Sequence, residues 1–487
     1  MDRFKGETAR SLPEFEVWLE SMLERHQVPG GSIAVSEAGE LSYYTSFGYQ
    51  DEKLDRKIGL DTVFGIGSVT KSFTCMAILH LQDSGKLSVH DPVTAFLPEF
   101  RLRGSQAAQQ IGKITIHHLM THTSGLPPLP TLYSAMKRSQ DNDPDFQHSH
   151  QSKIKLPNDD PLDTFEQLIQ YLYDLDFELL GTPGSEFSYS NDGYALLGAI
   201  IKRVSGQSYE SYVQDNLLHP AGMLDSGFDP NAFAEDRLAP IYAWRMQGQS
   251  REVFHSPARR DAPVMRAAGF LYSTARDMLK YAELFRTPGR IGNRRIISEQ
   301  SMKQMTTPYV QCEYNKYYGY GVMLIPDYFG SLMVEHGGTV KGVKSQLSIV
   351  PEQDLCGITL TNIASAPATR LNEAVLNSYL GRNPGECLAF SEKGDQLNSG
   401  SIEEYTGTYT SREGMSIDIS SADGQLIMEL NGESFALHSL GGDWYSYVQM
   451  EIPQTVHFKR NSEGNINRIS CAYRQCRKAD EISGCMS

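Results

Sequence analysis

Ser68-Val69-Thr70-Lys71 and Ser134-Ala135-Met136-Lys137 each set a serine three residues ahead of a lysine. On a helix, positions i and i+3 share a face, so either pair could act as nucleophile and base without help from long-range folding. The surroundings separate them. Phe73, Met76, Ala77, Ile78, Leu79 and Leu81 make the segment after Ser68 apolar nearly all round, with Gly85 as a stop, which predicts a buried helix whose lysine is easier to keep neutral. Ser134 lies in a polar stretch rich in Pro and Asp with no apolar helix behind it, so the chemistry is expected at Ser68.

Acyl transfer needs a nucleophile, a proton acceptor, a donor to the leaving atom, and hydrogen-bond donors for the oxyanion. Ser68 and Lys71 offer the first two. Tyr189, in Tyr189-Ser190-Asn191, can relay a proton, because a phenol and an amine ordinarily titrate in the same range. His336-Gly337-Gly338-Thr339 follows the apolar run Leu332-Met333-Val334-Glu335. Two glycines at a strand end would let a substrate backbone approach closely, and the amides of Ser68 and Thr339 would then form the oxyanion hole. Asn191, His336, Gly337 and Gly338 are the expected substrate contacts.

These residues must be held by a mixed α and β framework. Phe15, Trp18, Leu19, Met22 and Leu23 have helical spacing. The runs Gly30 to Val35 and Leu41 to Gly48 read as a hairpin turning at Glu37-Ala38-Gly39-Glu40. Helices are predicted over Thr164 to Leu175, Tyr194 to Val204 before Gly206, Thr274 to Phe285, and Thr369 to Leu380. Strands are predicted over Tyr320 to Ile325, Leu332 to Glu335, Val343 to Val350 and Leu355 to Thr361. Residues 127–161 lose periodicity and read as a long polar insertion. A Gly-, Asn-, Pro- and Ser-rich linker is expected over 381–400. Beyond it, turns at Ala422-Asp423-Gly424, Asn431-Gly432, Gly441-Gly442-Asp443 and Asn461-Ser462-Glu463-Gly464 predict a small all-β module without a chemical cluster of its own.

Composition narrows the partners. A length of 487 residues exceeds one ordinary core. The net charge of −15 argues against a nucleic-acid surface or an anionic membrane, both of which call for clustered Lys and Arg. The first residues lack the apolar core of a signal peptide and no run reaches membrane-spanning length, so a cytoplasmic protein acting on small molecules or short peptides is expected. Seven cysteines, an odd number in a long chain, suit reduced thiols. His148 and His150 with Asp141, Asp143 and Asp145 upstream read as a solvated loop. Cys471, Cys476 and Cys485 lack zinc-knuckle spacing. No metal and no cofactor are expected.

Taken together, Ser68-Val69-Thr70-Lys71, Tyr189-Ser190-Asn191 and His336-Gly337-Gly338 resemble the Ser-x-x-Lys, Tyr-x-Asn and Lys-or-His-x-Gly motifs of the serine β-lactamase and penicillin-binding-protein superfamily, within its class C β-lactamase-related branch. The stretches Ile114 to Pro127, Ala267 to Thr274 and Tyr318-Gly319-Tyr320-Gly321 are similar to the same branch. The resemblance implies an α+β fold: an antiparallel sheet flanked by helices beside an all-α region, the site at their junction, over residues 1–385. Residues 386–487, opening on Tyr405-Thr406-Gly407-Thr408-Tyr409, resemble the lipocalin-like barrels attached to D-aminopeptidases of this branch. That module is expected to overhang the site or to mediate homo-oligomers. True class C β-lactamases carry Lys-Thr-Gly at the third motif. A histidine there, only partly charged near neutrality, would weaken carboxylate recognition; Lys341 and Lys344 lie nearby. The expected activity is a serine hydrolase forming a Ser68 acyl-enzyme on amide, peptide or ester bonds, of D-aminopeptidase or esterase type. The alternatives are a β-lactamase or DD-peptidase-like penicillin-binding protein, an acyltransferase, and a non-catalytic binding protein on the same fold.

Overall fold

Helix α1 (Pro13–Arg25) begins on a proline, whose fixed φ suits the first helical position, and buries Phe15, Leu19 and Met22. Strands β1 (Gly31–Glu37) and β2 (Glu40–Phe47) form the expected hairpin. Helix α2 (Thr70–Asp83) is buried almost throughout. Helix α3 (Phe165–Asp174) starts at a capping box of Thr164 and Gln167. Helix α4 (Asn191–Ser205) is capped by the Ser190 hydroxyl and stopped by Gly206 at φ 74°, a left-handed conformation that favours glycine. Helix α5 (Ala275–Arg286) is capped by Thr274. Then come β3 (Val310–Glu313), β4 (Lys316–Tyr318), β5 (Met323–Tyr328), β6 (Ser331–Val340), β7 (Val343–Val350) and β8 (Leu355–Thr361), followed by α6 (Ala368–Tyr379). This computed structural model describes residues 10–479 except 52, 54, 149–151, 153, 155, 158, 159, 249, 389 and 391–400.

The eight strands form one antiparallel sheet in the order β3-β4-β5-β6-β7-β8-β1-β2. Alternation along each strand assigns its side chains to two cores. Ile33, Val35, Met333 and Leu355 pack against Phe15, Leu19, Leu371 and Val375 of α1 and α6. Ala34, Val334, Leu347 and Ile358 face the larger core built with α2, α4 and α5. Eight further strands close into a barrel: β9 (Gly407–Thr410), β10 (Ser416–Ala422), β11 (Gln425–Leu430), β12 (Glu433–Gly441), β13 (Trp444–Gln449), β14 (Ile452–Arg460), β15 (Ile466–Cys471) and β16 (Arg474–Lys478). The barrel has its own core, with Tyr409, Ile417, Met428 and Phe458 buried inside. The fold class is therefore an α+β sheet-and-helix domain followed by a β-barrel.

Three local expectations need correction. The polar stretch 127–161 contains helices Thr131–Ala135 and Lys137–Asp141. Leu129, Leu132 and Met136 are spaced helically within its polar composition and reach the main core. Asp143 is buried in ion pairs with Arg260 and Lys341, each at 2.7 Å. The strand expected from Tyr320 begins only at Met323, because Gly321 sits at φ 69°, and a side chain there would meet the Lys71 carbonyl at 2.6 Å. Strand β6 does not end before His336 but runs through His336, Gly337 and Gly338 to Val340. The six described cysteines are free thiols, and Cys471 and Cys476 belong to the barrel core. The imidazoles of His148 and His150, the thiol of Cys485 and residues 391–400 of the expected linker lie outside the described residues. Among the described residues no helix is long and apolar enough to cross a membrane.

Candidate active site

Ser68 occupies a 3-10 turn (Gly67–Val69) just ahead of α2, rather than the first turn of the helix itself. Gly67 has φ 52°, and a β-carbon on it would lie 2.5 Å from the Thr339 nitrogen. Only glycine fits that backbone conformation at that approach. The same constraint explains Gly338, where a β-carbon would fall 1.9 Å from the Ile66 carbonyl oxygen. Gly338 was expected to admit a substrate; instead it admits the chain's own nucleophile turn. Gly337 and Thr339, on either side of it, reach the cavity wall. The Ser345 hydroxyl secures the turn by donating to the Ile66 carbonyl at 2.7 Å. Ser68 remains partly exposed in a run that is otherwise buried.

Lys71 is fully buried. Its ammonium nitrogen lies 3.3 Å from the Ser68 hydroxyl and 2.9 Å from the Asn191 amide oxygen, and it also donates to the Ala268 carbonyl. The Tyr189 ring centroid is 4.7 Å away. Among the described residues no carboxylate pairs with this lysine. Burial, and secondarily the Arg474 guanidinium, push its pKa well below the usual lysine value. Tyr189 moves the other way: burial raises its phenol above the ordinary range, opposed by its hydrogen bond with Ser68 and by Arg474. The two groups expected to titrate together are thus driven apart, in the directions that favour a neutral amine and a retained phenol.

His336 is 2 % exposed, and burial, with Lys71 nearby, lowers its pKa to about 3. Its Nδ1 lies 2.6 Å from the Gly337 carbonyl and its Nε2 3.2 Å from the Tyr318 hydroxyl. The carbonyl accepts only, so Nδ1 carries the hydrogen and Nε2 accepts from the tyrosine. The histidine expected to be partly charged is a neutral, packed residue. Of the two nearby lysines, Lys341 is committed to Asp143. Lys344 donates to the Thr339 hydroxyl at 2.9 Å and has no carboxylate partner among the described residues.

Some neighbours of the site were given no role from sequence, although His122 lies in the Ile114 to Pro127 stretch that resembles the family. His122, at φ 58°, stacks its ring 4.2 Å from that of Tyr189 and accepts from the Ser190 amide at 3.0 Å. Burial pushes its pKa well down, so it too is neutral. Tyr473 and Arg474 come from the barrel, where no chemical cluster was expected. Tyr473 and Arg474 reach a cavity of about 440 Å³ that is also lined by Ser68, Tyr189, Asn191, His336 and Thr339. Its charged walls are Arg260, Lys316, Lys341, Lys344, Arg474 and a single carboxylate, Glu335; all of these cations but Lys344 pair with an acid, Arg260 and Lys341 with Asp143, Lys316 with Glu335 and Arg474 with Glu413.

A family model described as "Beta-lactamase" matches residues 15–379, and one described as "Domain of unknown function (DUF3471)" matches 391–483. Protein flp of Staphylococcus aureus is 27% identical over 368 residues, covering 75% of this chain and 66% of that protein. The chain thus spans about two thirds of that relative's length. Penicillin-binding protein 4* of Bacillus subtilis is 31% identical over 221 residues, 45% of this chain and 42% of that protein. The octameric penicillin-binding protein homologue from Pyrococcus abyssi aligns with a TM-score of 0.68 at 25% identity, over 96% of this chain and 100% of that one.

Proposed function

The chain belongs to the beta-lactamase family, and on that premise we propose that it is a serine hydrolase working through a Ser68 acyl-enzyme on amide, peptide or ester bonds of small substrates, of D-aminopeptidase or esterase type. The observation that carries this reading is Lys71: buried, without a carboxylate partner among the described residues, its pKa pushed well down by burial, and 3.3 Å from the Ser68 hydroxyl. A lysine in that state is a base rather than a counter-ion.

The steps follow from the geometry. The Ser68 oxygen bonds to the substrate carbonyl carbon as its proton passes to Lys71. The oxyanion is taken up by the amides of Ser68 and Thr339, a reading supported by the close packing of Gly67 on the Thr339 nitrogen; one such donor contributes on the order of 10²–10³-fold in rate. Tyr189, still a phenol, gives its proton to the leaving nitrogen or oxygen as that bond breaks, and is reprotonated from Lys71. Water then attacks the acyl carbon, returns a proton through the same groups, and frees Ser68. Asn191 fixes the Lys71 amine through the 2.9 Å bond. Strand β5 pairs with β6 only as far as Glu335, so the His336–Val340 edge is open on that side to an extended substrate. The cavity volume suits a small ligand, and Lys344, without a carboxylate partner among the described residues, favours one bearing a carboxylate.

Incubation with a fluorophosphonate or a labelled penicillin, followed by mass spectrometry, tests the reading: an adduct on Ser68 is expected. Absence of that adduct in wild type would leave the non-catalytic binding reading in its place. A panel of D- and L-aminoacyl amides, short-chain esters and a chromogenic cephalosporin then identifies the bond cleaved.

A further inference from the structure

The segment that delivers Tyr189 is held between two sheets of partners. On its inner side the amides of Ser188 and Ser190 bond to the carbonyl and Nδ1 of His122, both at 3.0 Å. On its outer side every anchor belongs to the barrel. The Tyr189 amide donates to the Tyr473 carbonyl at 2.8 Å. Gln475 donates to the Phe187 carbonyl and to Glu186, both at 2.9 Å, and Arg468 reaches the Leu180 carbonyl at 3.0 Å and Glu186 at 3.3 Å. The β15–β16 turn consists of Ala472 and Tyr473, at φ 46° and 68°. Neither is glycine, so this two-residue turn holds left-handed backbone at a cost of roughly 1–2 kcal/mol per residue. Strain of this kind concentrates where position matters.

The next residue, Arg474, lies over the Tyr189 ring, 5.1 Å from its centroid, and is held by Glu413 at 2.5 Å. We propose that the barrel is a working part of the catalytic centre: Tyr473 fixes the backbone of Tyr189, and Arg474, set by Glu413, fixes the charge beside Tyr189 and Lys71. This assigns a role to a region matched only as a domain of unknown function, and it rests on the reading of Lys71 and Tyr189 as base and acid. Arg474 and Glu413 touch neither the reacting atoms nor Lys71 and are positioning residues.

The groups facing Lys71 are Cys75 from its own helix, Asn191 and Tyr194 from α4, Tyr189, the Ala268 carbonyl, and the neutral rings of His122 and His336. The permanently charged influences come from the barrel. Arg474 lowers the pKa of both Lys71 and Tyr189, whereas Glu413 raises both. Removing one or the other therefore has opposite effects.

The experiment is the pH profile of kcat/KM on the full chain for wild type, Arg474→Met, Arg474→Lys and Glu413→Gln, with melting temperature and the stoichiometry of Ser68 labelling measured alongside. The acid limb is expected to move up by about 0.5–1 unit in Arg474→Met, as for a charge several ångströms away at intermediate dielectric. It should move down in Glu413→Gln and stay within about 0.3 unit in Arg474→Lys, which keeps the charge. A purely structural contact would lower activity at every pH without moving the limb, and that result, or shifts of the same sign, overturns the proposal. Should Arg474→Met not fold, Glu413→Gln decides alone: a downward shift supports, no shift or an upward one refutes. A wild type that takes no label on Ser68 fails at the earlier reading instead.

Discussion

Ser68-Lys71 and Ser134-Lys137 share one motif and one spacing, yet the molecule treats them in opposite ways. Behind Ser68 the turn feeds directly into a 14-residue buried helix, so Lys71 points back along the same face. Behind Ser134 the helix stops at Ala135, and Lys137 opens another one. The i, i+3 relationship is thereby lost. The Ser134 hydroxyl bonds to the Tyr171 hydroxyl at 2.8 Å inside the core, while Lys137 pairs with Asp141 at 2.6 Å near the surface. Lys71 has no acid to satisfy it among the described residues and is enclosed by rings and the Ala268 carbonyl. Spacing makes a pair possible; helix continuity, burial and the lack of a counter-ion among the described residues are what the proposed role of Lys71 as base rests on.

The sharpest way to break that comparison is to remove one member at each site. Ser68→Ala is expected to abolish turnover, about 10⁴-fold or more, with the fold intact, because the residue sits on a turn at the cavity rather than in the core. Lys71→Met should lose nearly as much and show a second signature. A buried lysine with a depressed pKa binds fewer protons folded than unfolded, so its cost to stability persists at neutral pH and fades as pH rises toward the ordinary lysine value. Wild type should therefore gain stability relative to Lys71→Met between neutral and alkaline pH, read from paired thermal melts. Parallel melts would mean that Lys71 is charged in the folded state. Tyr189→Phe follows, with a loss of about 10²–10⁴-fold in kcat, greatest for amides whose leaving nitrogen must be protonated and smaller for activated esters. Equal losses on both would remove Tyr189 from the proton path.

A third lysine sharpens the contrast. Lys344, like Lys71, lacks an acid, but it lies at the cavity wall against Thr339. Its role would be to hold a substrate carboxylate that a buried, neutral His336 does not. A partly exposed charge-assisted contact contributes on the order of 1 kcal/mol, about fivefold in binding. Lys344→Met should thus lower kcat/KM by that factor for carboxylate-bearing substrates and leave matched neutral amides unchanged. An equal effect on both would assign the lysine to structure.

The framework was largely legible because its signals are local. The α2 apolar run, the start of α5 at Thr274, the stop at Gly206 and the strands β7 and β8 each fall where periodicity and capping put them; α4 begins at Asn191, three residues before the expected Tyr194. The three motifs were legible as residue types, and the fold brings them to one cavity. What sequence could not supply was long-range. Gly338 faces Ile66 and not a ligand, which follows only once β6 crosses the nucleophile turn. His336 is neutral because of burial beside Tyr318, which its neighbours in sequence do not encode. Arg474 lies 285 positions after Tyr189 in the numbering, directly after a turn without glycine, so nothing local marked it. The helices at Thr131 and Lys137 were hidden by a composition dominated by polar residues, although Leu129, Leu132 and Met136 kept the helical spacing.

The smallest expected effects belong to the second serine and lysine, and they complete the comparison by their size. Ser134 is fully buried, so Ser134→Ala leaves the Tyr171 hydroxyl without that partner and should cost on the order of 1 kcal/mol of stability. Turnover should be unchanged, since Ser134 lines no part of the cavity around Ser68. Lys137→Met removes one i, i+4 pair whose acid is more than half exposed, worth about 0.3–0.5 kcal/mol. Chemical denaturation and steady-state kinetics on the same samples read both numbers. A stability loss with full activity is what a structural copy of the motif requires; a fall in kcat for Ser134→Ala beyond its fall in stability would move the nucleophile away from Ser68 and undo the assignment of Lys71 as its base.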